Sequence, residues 1–227
     1  MILAVDTSTD VAGVALAEAE TILAEISWRG RAAHSSLLLP AIERLLFTSG
    51  VTAAEIEQLA VAIGPGSFSG LRVGISAVKG LSMALDIPVA GIGTLDVMAW
   101  QVSPLSAAVL AVLPAGRGQV YAALYKGQGP EWHPAQPPQI LSPDEAVSLA
   151  DGALLAGEAA DEVAGAAEQR GREPRIAPGA WNVRRPGFLA ELGRLYFQSG
   201  QSDQRHQLEP LYLRRSAAEE KRAAAQE

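Results

Sequence analysis

Short apolar runs bounded by polar turns alternate along the chain with stretches of helical period, and the change from one to the other marks its elements. Residues 1–5 form a short apolar run ending in Asp6-Thr7-Ser8-Thr9, which predicts a buried strand and a polar turn. Residues 11–17 and 21–28 follow at hairpin spacing around Glu18-Ala19-Glu20 and predict two more strands. From Ser35 the period becomes helical, with Leu38, Ile42, Leu45 and Leu46 on one face as far as Thr48. Ser35 and Ser36 can cap its start, Gly50 stands where it should end, and Pro40 belongs in its first turns or kinks it. A short acidic helix over 53–58 and a buried strand over 59–63 come next, stopped by Gly64-Pro65-Gly66.

Residues 69–85 are again helical. Gly70, Gly74, Ala77, Gly80 and Ala84 share one face, Leu71, Ile75, Val78, Leu81 and Leu85 lie beside them, and Arg72, Lys79 and Asp86 lie opposite. Glycine costs a helix about 1 kcal/mol per residue, so three on one stripe predict close approach of another backbone. A strand over 88–92 and a helix over 95–101 capped by Thr94 complete a βββαβαβα order, which predicts a mixed sheet with helices on its faces.

The second half repeats the theme less clearly. Strands are predicted over 107–113 and 119–125 around Pro114-Ala115-Gly116-Arg117-Gly118, and the proline-rich stretch 127–138 reads as a loop. Ser142 caps a short helix, 153–156 is a strand, 158–169 is an alanine-rich helix, and a last helix covers 188–198 after Pro186. We therefore expect an α/β chain of two lobes, residues 1–102 and 103–215, with a frayed tail over 216–227.

Composition narrows the chemistry. Hydrophobic residues make up 48% and charged residues 19%, the profile of a folded chain. With no cysteine, thiolate catalysis, disulfides and cysteine-ligated metals are excluded. His34, His133 and His206 lie too far apart for a local metal pair. Asp6 interrupts the first apolar run, which is too short for a signal peptide or a membrane span, so a cytoplasmic protein is expected. The net charge of −7 argues against coating nucleic acid, but it is uneven. Residues 1–110 carry ten acids and five bases, whereas 170–215 carry nine bases and four acids.

Two segments could carry chemistry. Asp6-Thr7-Ser8-Thr9 at a strand end could face a hydrated magnesium and phosphates, or could simply form an Asx turn, the preferred reading on four residues. Gly64-Pro65-Gly66-Ser67-Phe68-Ser69-Gly70-Leu71-Arg72 leads from a strand into a helix. It could cradle an anion with help from Arg72, or let a glycine-faced helix pack closely, and spacing alone does not separate the two. It is neither a P-loop nor a dinucleotide fingerprint. His34 has no nearby partner and reads as a cap or surface residue; Arg117 and Tyr121 read as a turn charge and a sheet aromatic. Pro210-Leu211-Tyr212-Leu213-Arg214-Arg215 reads as a terminal segment docking back onto the fold.

Taken in order, these segments resemble one family. Ile2-Leu3-Ala4-Val5-Asp6-Thr7-Ser8, His34-Ser35 with Leu38-Leu39-Pro40 and Ile42, the run Gly64 to Gly74, Lys79-Gly80-Leu81, Pro88 and the late Pro210-x-Tyr212-Leu213-Arg214 are similar to the TsaB (YeaZ) family of tRNA threonylcarbamoyladenosine synthesis. The resemblance is dense over 1–100 and sparse afterwards. It implies an actin/hexokinase-like ATPase fold and a non-catalytic scaffold, without cofactor or metal, beside the catalytic subunit TsaD and the ATPase TsaE. The tRNA would then be reached through the complex. TsaD uses paired histidines and a nucleotide cleft, and here His34 stands alone in the corresponding helix region. The family's pairing through N-lobe helices points to His34, Leu38, Ile42 and Leu45, and to Gly70, Arg72, Gly74, Ala77, Lys79 and Leu81, as partner interface. Asp6, Ser8, Gly64, Gly66 and Ser67 remain the candidates for any nucleotide contact. One departure concerns the second lobe, where Pro114-Ala115-Gly116-Arg117 replaces the family's Asp-Ala-Arg.

Two other readings compete: an autonomous ATP-dependent phosphotransferase or peptidase of the same fold, resting on Asp6 and the glycine-rich loop, and direct tRNA capture by the basic rear. A homodimer through the same apolar helix faces is expected when TsaD is absent.

Overall fold

The structure, a computed structural model, describes residues 1–30, 33–128 and 132–214; the expected tail at 216–227 lies outside these. The first sheet is built from β1 (Ile2–Asp6), β2 (Val11–Glu18), β3 (Thr21–Arg29), β4 (Gln58–Gly64) and β5 (Val89–Gly93), in the order β3-β2-β1-β4-β5. Its first three strands are antiparallel, and β4 and β5 continue it in parallel, with Leu3 opposite both Leu16 and Leu59. This is the predicted mixed sheet.

Period-2 alternation sorts its two faces by size. Leu3, Val5, Leu16, Leu59 and Val61 face a cluster that includes Leu38, Ile42 and Leu45 of α1 (His34–Ser49) and Leu71, Ile75 and Val78 of α2 (Phe68–Leu85). Ile2, Ala4, Ala15, Ala60 and Ala62 face the other way, toward α3 (Thr94–Val102) and α6 (Pro186–Gln198). Small side chains are needed there because α6 comes close: a Cβ on Gly193 would stand 2.6 Å from the Cβ of Ala60.

The second sheet contains β6 (Ala108–Gly116), β7 (Gln119–Lys126), β8 (His133–Pro134), β9 (Gln139–Leu141), β10 (Leu154–Ala156) and β11 (Arg175–Ile176). Its order is β11-β10-β6-β7-β8, with β9 also on β7. One face packs on α3 through Leu95 and Met98; the other packs on α4 (Pro143–Leu149) and α5 (Ala160–Gln169) through Leu110, Val112 and Val120. Helix α3 packs on both sheets and α6 lies beside it on the first, so the chain is the expected α/β arrangement of two mixed sheets flanked by helices. Although α6 comes late in the sequence, it packs on β1, β2, β4 and β5 of the first sheet.

Local expectations held with small shifts. The acidic helix at 53–58 is a single 3-10 turn, Ala53–Glu55, and α1 starts at His34 without a side-chain cap. Ser36 instead donates to the Ala33 carbonyl at 3.1 Å. Thr94 opens α3 instead of capping it. Ser142 does cap α4, in a capping box with Glu145. Among the described residues no helix is long and apolar enough to cross a membrane.

Candidate functional site: the crevice between the lobes

Open α/β sheets take ligands outside the carboxyl ends of their strands. Here the turns after β1 and β10 meet through Arg184, and the loop after β4 lies on the first of them, so the lining of this seam decides what the fold can do.

The β1–β2 turn, Asp6 to Thr9, is buried throughout. Asp6 Oδ1 accepts from the Ser8 amide at 2.9 Å and from its hydroxyl at 2.5 Å, an Asx turn as preferred from sequence. The glycine-rich loop clasps this turn from outside. Ser67 N donates to the Ser8 carbonyl at 2.6 Å, and Thr7 Oγ1 donates to the Gly70 carbonyl at 2.7 Å. A Cβ on Gly66 would stand 2.2 Å from the Ser8 oxygen, one on Gly70 2.1 Å from the Thr7 oxygen, and one on Gly74 2.5 Å from Thr7 Oγ1. The glycines therefore answer to backbone approach within the chain, and the Ser67 amide that could have met an anion is already bonded. The stripe divides in two. Gly70 and Gly74 are buried against the turn, whereas a Cβ on Gly80 would meet nothing within 4 Å.

The crevice itself is filled by a side chain that periodicity does not flag. Arg184 is 2% exposed. Its Nε donates to Asp6 Oδ2 at 2.9 Å, its Nη2 to Ser8 Oγ at 3.1 Å and Thr9 Oγ1 at 2.9 Å, and its Nη1 to Glu158. Thr9 Oγ1 also lies 2.9 Å from Glu158 Oε1. Burial opposes the guanidinium's charge, but Asp6 and Glu158 outweigh it and hold its pKa above the usual value.

Neighbouring backbone positions both ends of this network. Gln101 on α3, itself buried, donates to the Trp181 and Val183 carbonyls at 2.9 and 3.0 Å and accepts from the Arg185 amide at 2.9 Å. Asn182 accepts from the Gly157 amide at 3.1 Å. Glu158 follows Gly157, whose φ of +120° and Cβ position, 2.1 Å from the Val112 oxygen, admit only glycine.

Asp6 and Ser8, the residues that would face a magnesium–phosphate ligand, are thus bonded to a guanidinium. The lining does not fit a nucleotide with its metal. Gly64 sits under the C-terminal strap, its would-be Cβ 2.7 Å from the Leu211 oxygen. That strap docks back as expected: Leu211 N donates to the Ile63 carbonyl at 2.7 Å, and Arg214 Nη1 donates to the Ala115 carbonyl at 3.1 Å across the second lobe.

The interface candidates separate by burial. His34, Leu38, Ile42, Leu45, Gly70 and Gly74 turn inward, because the apolar stripe that marked them is the stripe the first sheet needs. His34 is no surface cap: its Nε2 donates to the Thr9 carbonyl at 2.7 Å, so it helps to hold the turn. Arg72 is exposed, stacked over Phe68 with its Cζ 3.8 Å from the ring centre, and bonded to the Tyr212 hydroxyl. Ala77, Lys79 and Leu81 are half-buried. The apolar side chains that do face outward are others: Leu37, Leu39 and Phe47 on α1, and Met83 on α2.

Several arginines of the basic rear are bonded within the chain. Arg170 pairs with Asp144, Arg184 is buried, Arg185 pairs with Glu25, Arg205 pairs with Asp86, and Arg214 is tied to Ala115 and Gln119.

Sequence reading passed over Arg184, Glu158 and Gln101. The only signals were a glycine–acid pair directly after a strand and an Arg-Arg pair just before Pro186.

Comparison with known proteins bears on the whole chain. A sequence model of the family TsaD, tRNA N6-adenosine threonylcarbamoyltransferase, matches residues 21–178. The Escherichia coli protein named tRNA threonylcarbamoyladenosine biosynthesis protein TsaB is 36% identical over 147 residues, 63% of each chain. The Haemophilus influenzae protein of the same name is 29% identical over 94% of this chain and 93% of its own. The match to the Bacillus subtilis protein of that name, at 33% identity, spans 63% of its length, so these alignments cover just under two thirds of the E. coli and B. subtilis relatives. Among solved structures, YeaZ from Pseudomonas aeruginosa superposes with a TM-score of 0.79 at 26% identity, covering 93% of this chain and 99% of that one. On this match the chain belongs to the TsaD family, and over most of its length it is similar to the TsaB and YeaZ proteins.

Proposed function

We infer that the chain is a non-catalytic scaffold or activator subunit, cytoplasmic, that works with TsaD and TsaE to form the threonylcarbamoyl group on tRNA adenosine. The names of its relatives support the pathway. One observation carries the non-catalytic part: Asp6 and Ser8, candidates for any nucleotide contact, are bonded to the buried guanidinium of Arg184.

The partner face is the outer side of α1 and α2 in the first lobe, residues 1–102. Leu37, Leu39, Phe47 and Met83 supply exposed apolar area, and Gly80 lets a partner helix come close. Arg72, Ala77, Lys79 and Leu81 of the original interface set flank this face. The same face supports a homodimer when TsaD is absent. Helix α6 and the strap, although they lie within 103–215 of the sequence, return to the first lobe and brace its sheet. The tRNA is met through the complex; Arg170, Arg185 and Arg205 of the basic rear are held in ion pairs within the chain.

Mixing the protein with TsaD and sizing the mixture tests this. Co-elution at micromolar concentrations is expected, and loss of co-elution for Phe47→Glu with Met83→Glu. Separate elution of the unaltered proteins would overturn the reading. Calorimetry with ATP and magnesium addresses the competing phosphotransferase: heat of binding that Asp6→Ala abolishes would favour it.

A further inference from the structure

A cavity of about 440 Å³ lies where β4 and β5 end, and it shares no residue with the Arg184 network. Gly64, Pro65, Gly93, Leu95 and Asp96 line it from the first lobe, residues 134–138 from the second, and Leu211 from the strap. The two loop walls are pinned to strands: Ala135 N donates to the Leu124 carbonyl and Leu211 N to the Ile63 carbonyl, each at 2.7 Å. The cavity is therefore formed before any guest arrives. Leu211 is nevertheless 38% exposed, an apolar side chain left without cover at its edge. Among the described residues that line it, Asp96 alone is ionisable. Its carboxylate is fixed in place. Tyr125, stacked on Trp132 at 5.0 Å, donates to Oδ1 at 2.6 Å, the Gly93 amide donates as well, and a Cβ on Gly93 would stand 2.2 Å from Oδ2. A carboxylate accepts about four hydrogen bonds, so about half of its capacity is left for the cavity. The proline, leucine and alanine side chains around it donate nothing.

We propose that this cavity binds a small organic cation, a primary amine whose ammonium sits on Asp96 and whose apolar body lies against Pro65, Leu95, Pro137, Pro138 and Leu211. An anion would meet a like charge in an apolar recess, and a neutral guest would leave the carboxylate's charge uncompensated. An ammonium brings both the opposite charge and three donors for the open acceptor positions. Proline rings and leucines give the body flat apolar contact, and the volume is that of a small-molecule site. Every group involved lies in this one chain, so the proposal stands or falls separately from any role beside TsaD.

Titration of the full chain with cyclohexylmethylamine, followed by the amide resonances of Gly93 and Leu211, tests it. Cyclohexylmethanol and cyclohexanecarboxylate serve as the neutral and anionic probes. The amine should shift both resonances saturably and bind about tenfold or more tightly than the alcohol, because only the amine makes a charge-assisted bond. The carboxylate should not bind. Asp96→Asn keeps an acceptor for Tyr125 and should weaken the amine about tenfold while leaving the alcohol unchanged. Leu211→Lys, a change on the exposed strap, brings a tethered ammonium to the cavity and should block the amine; it keeps the test decisive if Asp96→Asn does not fold. No saturable shift with the amine overturns the proposal. So does equal affinity for amine and alcohol, or undiminished amine binding in either folded variant.

Discussion

Arg184 Nε donates to Asp6 Oδ2 at 2.9 Å across 178 positions of sequence, and the bond joins the first strand to the segment leading into the last helix. Both side chains are almost fully buried, so each depends on the other for compensation. Asp6→Ala strands a buried guanidinium against one remaining carboxylate. The expected loss is about 3–5 kcal/mol in denaturant unfolding, with Asp6→Asn losing less. A loss within 0.5 kcal/mol, the range of a surface substitution, would mean that the network is not stabilising.

Gln101 touches no ion, yet it holds three backbone groups of the 181–185 segment. Replacing it with Leu leaves two buried carbonyls and an amide without partners. About 1–3 kcal/mol should be lost, together with faster exchange at the Arg185 amide. Native exchange at that amide would place the support elsewhere.

The glycine stripe of α2 yields opposite signs at its two ends. Gly70→Ala drives a methyl into the Thr7 carbonyl oxygen, 2.1 Å away, and backbone cannot retreat as a flexible side chain would. It should destabilise by about 1–3 kcal/mol or more. Gly80→Ala points into open space and should stabilise by up to about 1 kcal/mol through helix propensity. Equal effects at both positions would contradict this division.

Phe47 is 78% exposed and Met83 70%. Their replacement by Glu should leave the unfolding free energy within about 0.5 kcal/mol while weakening association with TsaD. A large drop in stability would show that these side chains serve the monomer.

Asp96 gives a pH signature. Burial raises its carboxyl pKa, and the Tyr125 hydroxyl, donating at 2.6 Å, partly restrains the rise. A carboxyl that binds its proton more tightly when folded adds stability below its unfolded pKa, and that contribution is lost as pH rises through the folded value. Asp96→Asn keeps an acceptor for Tyr125 but cannot ionise. Its stability relative to the unaltered protein should therefore improve with rising pH across that window. Tyr125→Phe should push the Asp96 carboxyl higher still and move the window upward. A flat difference across pH would refute the assignment.

The strands, the main helices and the mixed first sheet were legible because each depends on local pattern: short continuous apolar runs in residues 2–5 and 11–17, period 3.6 in 34–49 and 68–85. The Asx turn at Asp6 was legible for the same reason. The inward direction of Leu38, Ile42 and Leu45 was misassigned to a partner because an apolar stripe says only that a face is covered, not by what.

By itself, then, the sequence determined the order and type of the elements, the absence of cysteine chemistry and the likeness to TsaB. Tertiary structure decided what the crevice contains. Arg184, Glu158, Gln101 and Thr9 come from four distant segments, and no periodicity relates them. They meet because the chain folds into two lobes and returns to the first through α6. A buried charge draws its partners by electrostatics across space, a relation that spacing along the chain does not record.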